Sequence, residues 1–149
     1  MPTTLKQTDR SYWRSLGNSK LHGVPSSHID DVWDSVKQLV FDGLEYSDGK
    51  YTVDDVYKSL KSRNMQLWVS INEGIEAIGI TEINIYPNKK VCQIFLVSGR
   101  NMDNWLHFSK VIEAWAKERG CQSLECFGRP GWGKVIGWER IHTVLRKNL

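Results

Sequence analysis

One carboxylate and one thiol are the side chains of this sequence that could support a reaction. Glu82 lies inside a long stretch of alternating residues, where a carboxylate could accept a proton as a general base. The alternative is that Glu82 points to solvent, as most glutamates do. Cys126 could act as a thiol nucleophile, but no histidine stands at a recognisable spacing to activate it. An inert buried thiol is therefore the alternative for Cys126.

The cysteines and histidines lack the spacing of a metal site or of a disulfide framework. No pair of cysteines forms a C-x-x-C motif and their number, three, is odd, so we expect reduced thiols. The four histidines show neither an H-x-x-x-H nor an H-E-x-x-H pattern. The sequence therefore predicts no metal site.

Length and composition indicate an ordinary globular protein. The chain has 149 residues, of which 40% are hydrophobic and 25% charged, and this size predicts one domain. We place a polar N-terminal arm at residues 1–18 and the domain at residues 19–149. A net charge of +3 is too weak to indicate a nucleic-acid partner. No apolar run is long enough to span a membrane and the N-terminus lacks a secretory signal, so we expect an intracellular protein.

Two helices are predicted in the first half of the chain. Apolar residues recur at helical spacing up to Gly43, and Ser27 and Asp30 stand in the arrangement of a capping box. A second helix is predicted from Thr52, a good N-terminal cap, to about Ser62. Both helices precede every predicted strand.

Three strands are predicted next. Alternating residues indicate antiparallel strands over residues 65–71 and 75–86, joined by a tight turn. Residues 91–97 are more continuously apolar, which is typical of a strand buried on both faces. We therefore expect residues 91–97 to form a central strand.

The last third of the chain predicts a strand-helix-strand unit and a tail. A helix should end at Gly120, and a short strand at residues 123–127 should lie parallel to the central strand after a right-handed crossover. A short helical turn after Trp132 and a last strand at residues 139–146 complete the prediction.

In this order of elements the sequence resembles the GNAT (Gcn5-related N-acetyltransferase) superfamily. Residues 91–120 are similar to the strand, turn and helix that bind acyl-coenzyme A there, residues 123–127 to the next strand, and residues 134–139 (KVIGWE) to the end of the fourth helix. The segment Arg-Pro-Gly-Trp at 129–132, with a short basic end, resembles small GNAT-like proteins of tailed phages and prophages. The resemblance implies an α+β fold, with a central mixed sheet flanked by helices. Its C-terminal hairpin would be shortened, since only about a dozen residues follow Gly137.

The resemblance also implies a site for acetyl-CoA between the strands at 91–97 and 123–127. Backbone groups of the central strand would hold the pantetheine arm. Amides at the start of the next helix would hold the pyrophosphate, because the helix dipole favours an anion there. The residues implied are Val97, Ser98 and Gly99 for the pantetheine, and Arg100, Asn101, Met102, Asp103 and Asn104 for the phosphates.

This predicted phosphate loop departs from the superfamily motif Q/R-x-x-G-x-G/A. Neither later glycine is present, and glycines let the backbone approach a phosphate closely. Asp103 would compete for the same amides and repel the anion. An ordinary helix cap by Asn101 or Asp103 is therefore the alternative to coenzyme binding.

Direct acyl transfer to an amine needs a base, and Glu82, a carboxylate in the interior of the long predicted strand, is the candidate for that role. The superfamily's common acid is a tyrosine in the fourth helix, but Gly133 stands at that position. Tyr86 and Cys126 are the substitutes that the sequence offers. The first hypothesis is thus an N-acetyltransferase of phage type, acting on an unidentified acceptor in the host cytoplasm.

The alternative function is a non-catalytic protein of the same fold, a virion or assembly component that binds other proteins. Seven tryptophans are unusual in a chain of this length, and those outside the predicted core faces are candidates for a partner surface. Phage structural proteins would contact Trp13, Trp132 and Trp138, with Arg129 nearby. The missing glycines and tyrosine favour this alternative, whereas the strand-turn-helix unit supports either function.

Overall fold

Two strands, two helices, three strands, one helix and one strand follow one another in the described residues. The computed structural model describes residues 13–16, 19–100, 105–128 and 137–149, and the side chains of residues 21–100, 108–128 and 137–149. The helices are α1 (Ile29–Gly43), α2 (Val53–Lys61) and α3 (Trp105–Glu118). The strands are β1 (Trp13–Leu16), β2 (Ser19–Val24), β3 (Gln66–Ile71), β4 (Ile75–Ile85), β5 (Lys90–Gly99) and β6 (Ser123–Cys126).

All of the described strands belong to one mixed sheet. It has six strands in the order β1-β2-β3-β4-β5-β6. Neighbouring strands are antiparallel except β5 and β6, which are parallel and are joined through α3. The antiparallel strands at 65–71 and 75–86, the interior position of β5 and the parallel pairing of β6 are confirmed.

Helices cover both faces of the sheet and form two cores. On one face α1 and α2 bury Val36, Val40 and Leu60 against Ile80 and neighbouring strand residues. On the other face α3 packs on Trp68 and Cys92, along with further buried residues. Each helix contributes one apolar stripe and leaves its opposite side exposed, as expected for helices that flank a sheet.

Of the two predicted helix caps, the one at Thr52 is confirmed and the one at Ser27 is wrong. Thr52 forms a true capping box with Asp55, since the Thr52 hydroxyl accepts from the Asp55 amide at 3.1 Å and the Asp55 carboxylate accepts from the Thr52 amide at 2.8 Å. The predicted cap by Ser27 is wrong. Residues Ser26–His28 form a 3-10 turn, so His28 takes the cap position and makes no capping bond with its side chain.

A hairpin of β1 and β2 precedes the first helix and was not predicted. Trp13–Leu16, within the predicted arm, pairs antiparallel with β2, which pairs in turn with β3. The hairpin sequence WRSL and SKLHGV is polar and short. A strand of this composition depends on pairing with β3 rather than on a strong apolar alternation of its own.

The predicted last strand at residues 139–146 is wrong. Residues 138–149 form neither strand nor helix, and residues 139–149 are exposed. A strand needs a partner to bury its apolar face, and none of the described strands pairs with this segment. We call residues 137–149 the tail.

Candidate functional site

β5 and β6 lie side by side for only part of their length. Their parallel pairing runs from Val91 opposite Ser123 to Ile94 opposite Cys126. β5 continues to Gly99, whereas β6 ends at Cys126. Within the described residues, positions 95–99 of β5 therefore have no strand on the β6 side. We call this opening between the two strands the fork.

A β-bulge in β5 lies where the fork begins. Ile80 is opposite Leu96 while Thr81 is opposite Ile94, so Phe95 has no counterpart on β4. A bulge bends its strand and increases the local twist. The bulge therefore accounts for the point at which β5 leaves β6.

The hydrogen bonds of β5 decide which backbone groups face the fork. The Arg100 amide donates to the Glu76 carbonyl on β4 at 2.8 Å. In an antiparallel ladder, hydrogen-bonded pairs alternate with non-hydrogen-bonded pairs, so Ser98 is also bonded to β4. Val97 and Gly99 therefore occupy the non-hydrogen-bonded positions of this ladder. Their N–H and C=O groups point away from β4 and into the fork.

Gly99 stands where β5 lies close to β4. Its φ is +129°, and a Cβ at this position would lie 2.4 Å from the Ala77 Cα and 2.4 Å from the Glu76 carbonyl oxygen. Only glycine satisfies both the dihedral angle and the contact. The approach of β4 thus explains why a glycine stands next to the fork, which the sequence motif alone did not reveal.

The predicted phosphate loop is described only at its first residue. The Arg100 side chain is exposed, but the Arg100 amide is bonded to β4 and is not available to a phosphate. Arg100 can therefore contribute only its guanidinium group. Asn101, Met102, Asp103 and Asn104 lie outside the described residues.

Glu82 lies half-buried on β4, beside the fork. It is opposite Gln93, the neighbour of Ile94, where the pairing of β5 with β6 ends. The preceding Thr81 hydroxyl accepts from Trp68 Nε1 at 3.1 Å on the α3 side, so Glu82 projects to the α1–α2 side. Burial raises the pKa of the Glu82 carboxyl above its ordinary value, because the charged form loses hydration. Such a carboxyl is a stronger base than one in full contact with water.

The two candidates to replace the tyrosine acid, Tyr86 and Cys126, lie at different places along β5. Tyr86 is exposed and follows β4 at the turn into β5, at the end of the sheet far from Gly99. Cys126 is the last paired residue of β6 and stands at the fork. Burial raises the pKa of the Cys126 thiol, so it carries its proton at neutral pH. The structure brings Cys126 to the fork and does not bring Tyr86 there.

The predicted partner residues are only partly described. Trp13 belongs to β1, but its side chain is outside the described part, as are Arg129 and Trp132. Trp138 is partly buried at the start of the tail.

An open cleft of about 540 Å³ lies between α1 and α2, and the sequence did not single it out. It is lined by acidic side chains and by the rings of Trp33 and Tyr57, whose centroids are 5.0 Å apart. One of its carboxylates, Asp30, accepts hydrogen bonds from the Tyr57 hydroxyl at 2.5 Å and from Lys61 Nζ at 2.6 Å. These bonds connect α1 to α2, so helix packing accounts for the arrangement.

Among the described residues, no group of three or more histidine, cysteine, aspartate and glutamate side chains is placed to hold a metal ion. No described helix is both long and apolar enough to cross a bilayer.

Sequence comparison finds no match, whereas structural comparison finds solved proteins of similar fold. No protein-family model and no curated protein match the chain. Aminoglycoside N-acetyltransferase AAC(6')-Iy in complex with CoA is 11% identical with a TM-score of 0.62, over 88% of this chain and 94% of that one. The aminoglycoside acetyltransferase meta-AAC0020 from an uncultured soil metagenomic sample, in complex with sisomicin, is 11% identical with a TM-score of 0.63, over 89% and 97%. An integron cassette protein of V. cholerae is 14% identical with a TM-score of 0.61, over 88% and 93%.

At these identities the likeness shows the fold. The mixed sheet, flanking helices and parallel β5-α3-β6 unit are those of the GNAT-like acyl-CoA N-acyltransferase fold, as the sequence predicts. Similar solved structures include acetyltransferases, one of them bound to CoA.

Proposed function

We propose that this chain is a GNAT-like, acyl-CoA-dependent N-acetyltransferase. The observation that carries the proposal is the fork, a gap between two parallel strands with backbone groups of Val97 and Gly99 directed into it. A pantetheine arm carries amides that can pair with such strand groups, as another strand would. The CoA complex of AAC(6')-Iy, a protein of the same fold, supports this use of the fork.

The residues of the fork fit such a cosubstrate. Val97 and Gly99 would offer their backbone donors and acceptors to the pantetheine, while Ser98 between them is bonded to β4. The exposed Arg100 guanidinium would contact a phosphate. Asn101 to Asn104 stay predicted phosphate residues. Bound acetyl-CoA supplies the acyl group as a reactive thioester.

Glu82 is proposed as the base that accepts a proton from the acceptor amine. Its raised pKa, position beside the end of the β5–β6 pairing and partial burial suit that role. The protonated thiol of Cys126 is the group at the fork that could return a proton to the leaving thiolate. The acceptor is an amine that the present residues do not identify.

The non-catalytic alternative is not favoured, since acetyltransferases are among the structures that the chain resembles. The phage origin and the partner surface of Trp13, Arg129, Trp132 and Trp138 stay predictions from the sequence. Neither is needed for the proposed reaction.

Thermal unfolding with and without acetyl-CoA tests the proposal. A ligand at one hundred times its dissociation constant stabilises the folded protein by about 2.7 kcal/mol. We expect the midpoint of unfolding to rise with acetyl-CoA concentration. No shift at millimolar acetyl-CoA would contradict the proposal.

Two variants show where the cosubstrate binds. Arg100→Ala should weaken acetyl-CoA binding while leaving the unliganded stability nearly unchanged, because the side chain is exposed. Lys89→Ala is the matched control, an exposed basic residue at the opposite end of β5. Equal binding by wild type and Arg100→Ala would remove Arg100 from the site. Release of free CoA thiol in the presence of candidate amines then tests catalysis itself.

A further inference from the structure

Three polar side chains form a row across the last three strands of the sheet. Glu82 of β4 lies opposite Gln93 of β5, and Gln93 lies opposite Glu125 of β6. Residues paired across neighbouring strands share a face of the sheet, so all three side chains project to the α1–α2 side. All three are half-buried. The proposed base therefore has Gln93 as its neighbour in the direction of the fork.

A hydrogen bond fixes the orientation of the Gln93 amide. Asn84 Nδ2 donates to Gln93 Oε1 at 3.0 Å, and Asn84 stands two residues after Glu82 on the same face of β4. Within the described residues, the Gln93 side chain makes this hydrogen bond and no other. Its oxygen is thus occupied, whereas no described group accepts from the two N–H groups of Gln93 Nε2.

Two aromatic rings border this row on the same side of the sheet. Phe95, two residues after Gln93, packs against the core under α1 and α2. Its ring meets the ring of Tyr51 edge-on, with the centroids 4.8 Å apart. A carbon skeleton held above Gln93 would therefore contact apolar ring surface while its polar groups face the row. These surroundings suit a small, partly apolar molecule with its polar groups on one side.

We propose that Gln93 orients the acceptor amine by donating a hydrogen bond to an oxygen on the carbon next to the amine-bearing carbon. This inference rests on the proposed acetyltransferase function and names the class of its acceptor, an α-amino amide or a 1,2-amino alcohol. Side chains opposite each other on antiparallel strands have Cβ atoms about 5 Å apart, so groups on two adjacent carbons can reach Glu82 and Gln93 together. The amine would then lie at Glu82, with its carbon skeleton turned to the rings of Tyr51 and Phe95. An alkylamine, which lacks the oxygen, would leave the Gln93 donors unpaired.

Nuclear magnetic resonance of the side-chain amide groups tests this contact without requiring catalysis. The two N–H signals of Gln93, assigned by their absence from Gln93→Leu, should shift when millimolar ethanolamine or glycinamide is added to the full chain. Propylamine, which has a similar size but no oxygen, should leave them in place. The signals of Gln38, exposed on α1, are the internal control. A response to one of the two oxygen-bearing amines alone supports the proposal and identifies the oxygen as hydroxyl or carbonyl. If neither amine moves the Gln93 signals, or if propylamine moves them as far, the proposal is wrong.

Transfer rates separate this role of Gln93 from the proposed function itself. Gln93→Leu should lower kcat/KM for ethanolamine or glycinamide by about tenfold, the effect of one lost hydrogen bond, and leave propylamine within about twofold. Comparing variant with wild type for each amine cancels the differences in basicity among the amines. Asn84→Ala should act in the same direction, because it frees the Gln93 amide to turn, and Gln38→Leu is the control.

The pattern of losses decides between the two levels of the proposal. An equal loss for all three amines would show that Gln93 is structural and would overturn its role in orienting the acceptor. No transfer to any amine would contradict the acetyltransferase function, and the amide signals would still decide whether Gln93 binds the amine.

Discussion

Gly43 at the end of α1 faces Leu96 of β5 so closely that a Cβ on the glycine would lie 2.6 Å from Leu96 Cγ. Leu96 is the residue directly after the unpaired Phe95, so α1 rests on the strand just past the bulge. This contact joins the helix layer to the part of β5 that borders the fork.

Gly43→Ala should destabilise the protein by about 1–3 kcal/mol, because the methyl group must displace a buried leucine. Alanine ordinarily stabilises a helix relative to glycine, so the sign itself tests the contact. Chemical denaturation measures the change. Ser35→Ala, exposed on the same helix, is the control and should stay within about 0.5 kcal/mol of wild type.

A double-mutant cycle separates the clash from other effects of the alanine. In a Leu96→Ala background the methyl group of Gly43→Ala has room, so its destabilisation should disappear. An equal loss in both backgrounds would mean that Leu96 is not the obstacle.

Gly99→Ala should destabilise the protein more than Gly74→Ala. Both glycines have similar positive φ angles, +129° and +135°, but only Gly99 has backbone atoms of β4 within reach of a Cβ. Strain of about 1–3 kcal/mol is expected at each site, and the clash adds to it at Gly99 alone. Urea denaturation of the two variants gives the difference. Similar losses would show that backbone strain, and not the approach of the strands, requires Gly99.

Glu82→Gln should lower the acetyl-transfer rate by about 10²–10⁴-fold, the usual contribution of a general base. The wild-type rate should rise with pH through the raised pKa of Glu82, because the base is the ionised form. This rise should be absent in the variant. Glu73→Gln in the exposed β3–β4 turn is the control and should keep the wild-type profile.

The stability of Glu82→Gln should change in the opposite sense to its activity. A raised pKa means that the folded state holds the proton to higher pH than the unfolded state, so stability falls as pH rises through the folded pKa. The neutral glutamine avoids this loss. Thermal melts near neutral pH should show the variant at least as stable as wild type, and a less stable variant would indicate that Glu82 makes a structural bond.

Cys92 should resist alkylation in the folded protein. It is fully buried, and burial raises the pKa of its thiol to about 12, so almost no reactive thiolate is present at pH 8. Mass spectrometry after brief iodoacetamide treatment should find Cys92 unmodified until guanidinium unfolds the chain. Labelling of native Cys92 at the unfolded rate would contradict its burial.

The sequence predicts the helices and the central strands because their periodicity reflects burial. Val36, Val40 and Leu60 recur at helical spacing and are buried in the core. The strand of residues 91–97 is apolar at every position except Gln93 and lies inside the sheet. The prediction of a last strand failed for a different reason. Ile141 and Val144 do not stand at alternating positions, and none of the described strands pairs with them.

Less of the candidate site than of the fold could be predicted from the sequence. Glu82 could be named, but which side of the sheet it occupies follows only from the bond between Thr81 and Trp68. The bulge at Phe95 leaves no signal, because a mostly apolar run hides a change in alternation. The β1–β2 hairpin is missed because its short polar strands depend on a partner far along the chain.

Because Phe95 is an extra residue of the bulge, the alternation of the two faces along β5 shifts by one position there. Cys92 and Leu96 are four residues apart, yet Cys92 belongs to the core under α3 and Leu96 to the core under α1. Removing Phe95 would restore strict alternation with Leu96 still opposite Ile80, so residues 96–99 would keep their faces while the bend of the strand is lost. A deletion of Phe95 would therefore act on the shape of the opening rather than on the two cores, because the bend that leads β5 away from β6 depends on this inserted residue.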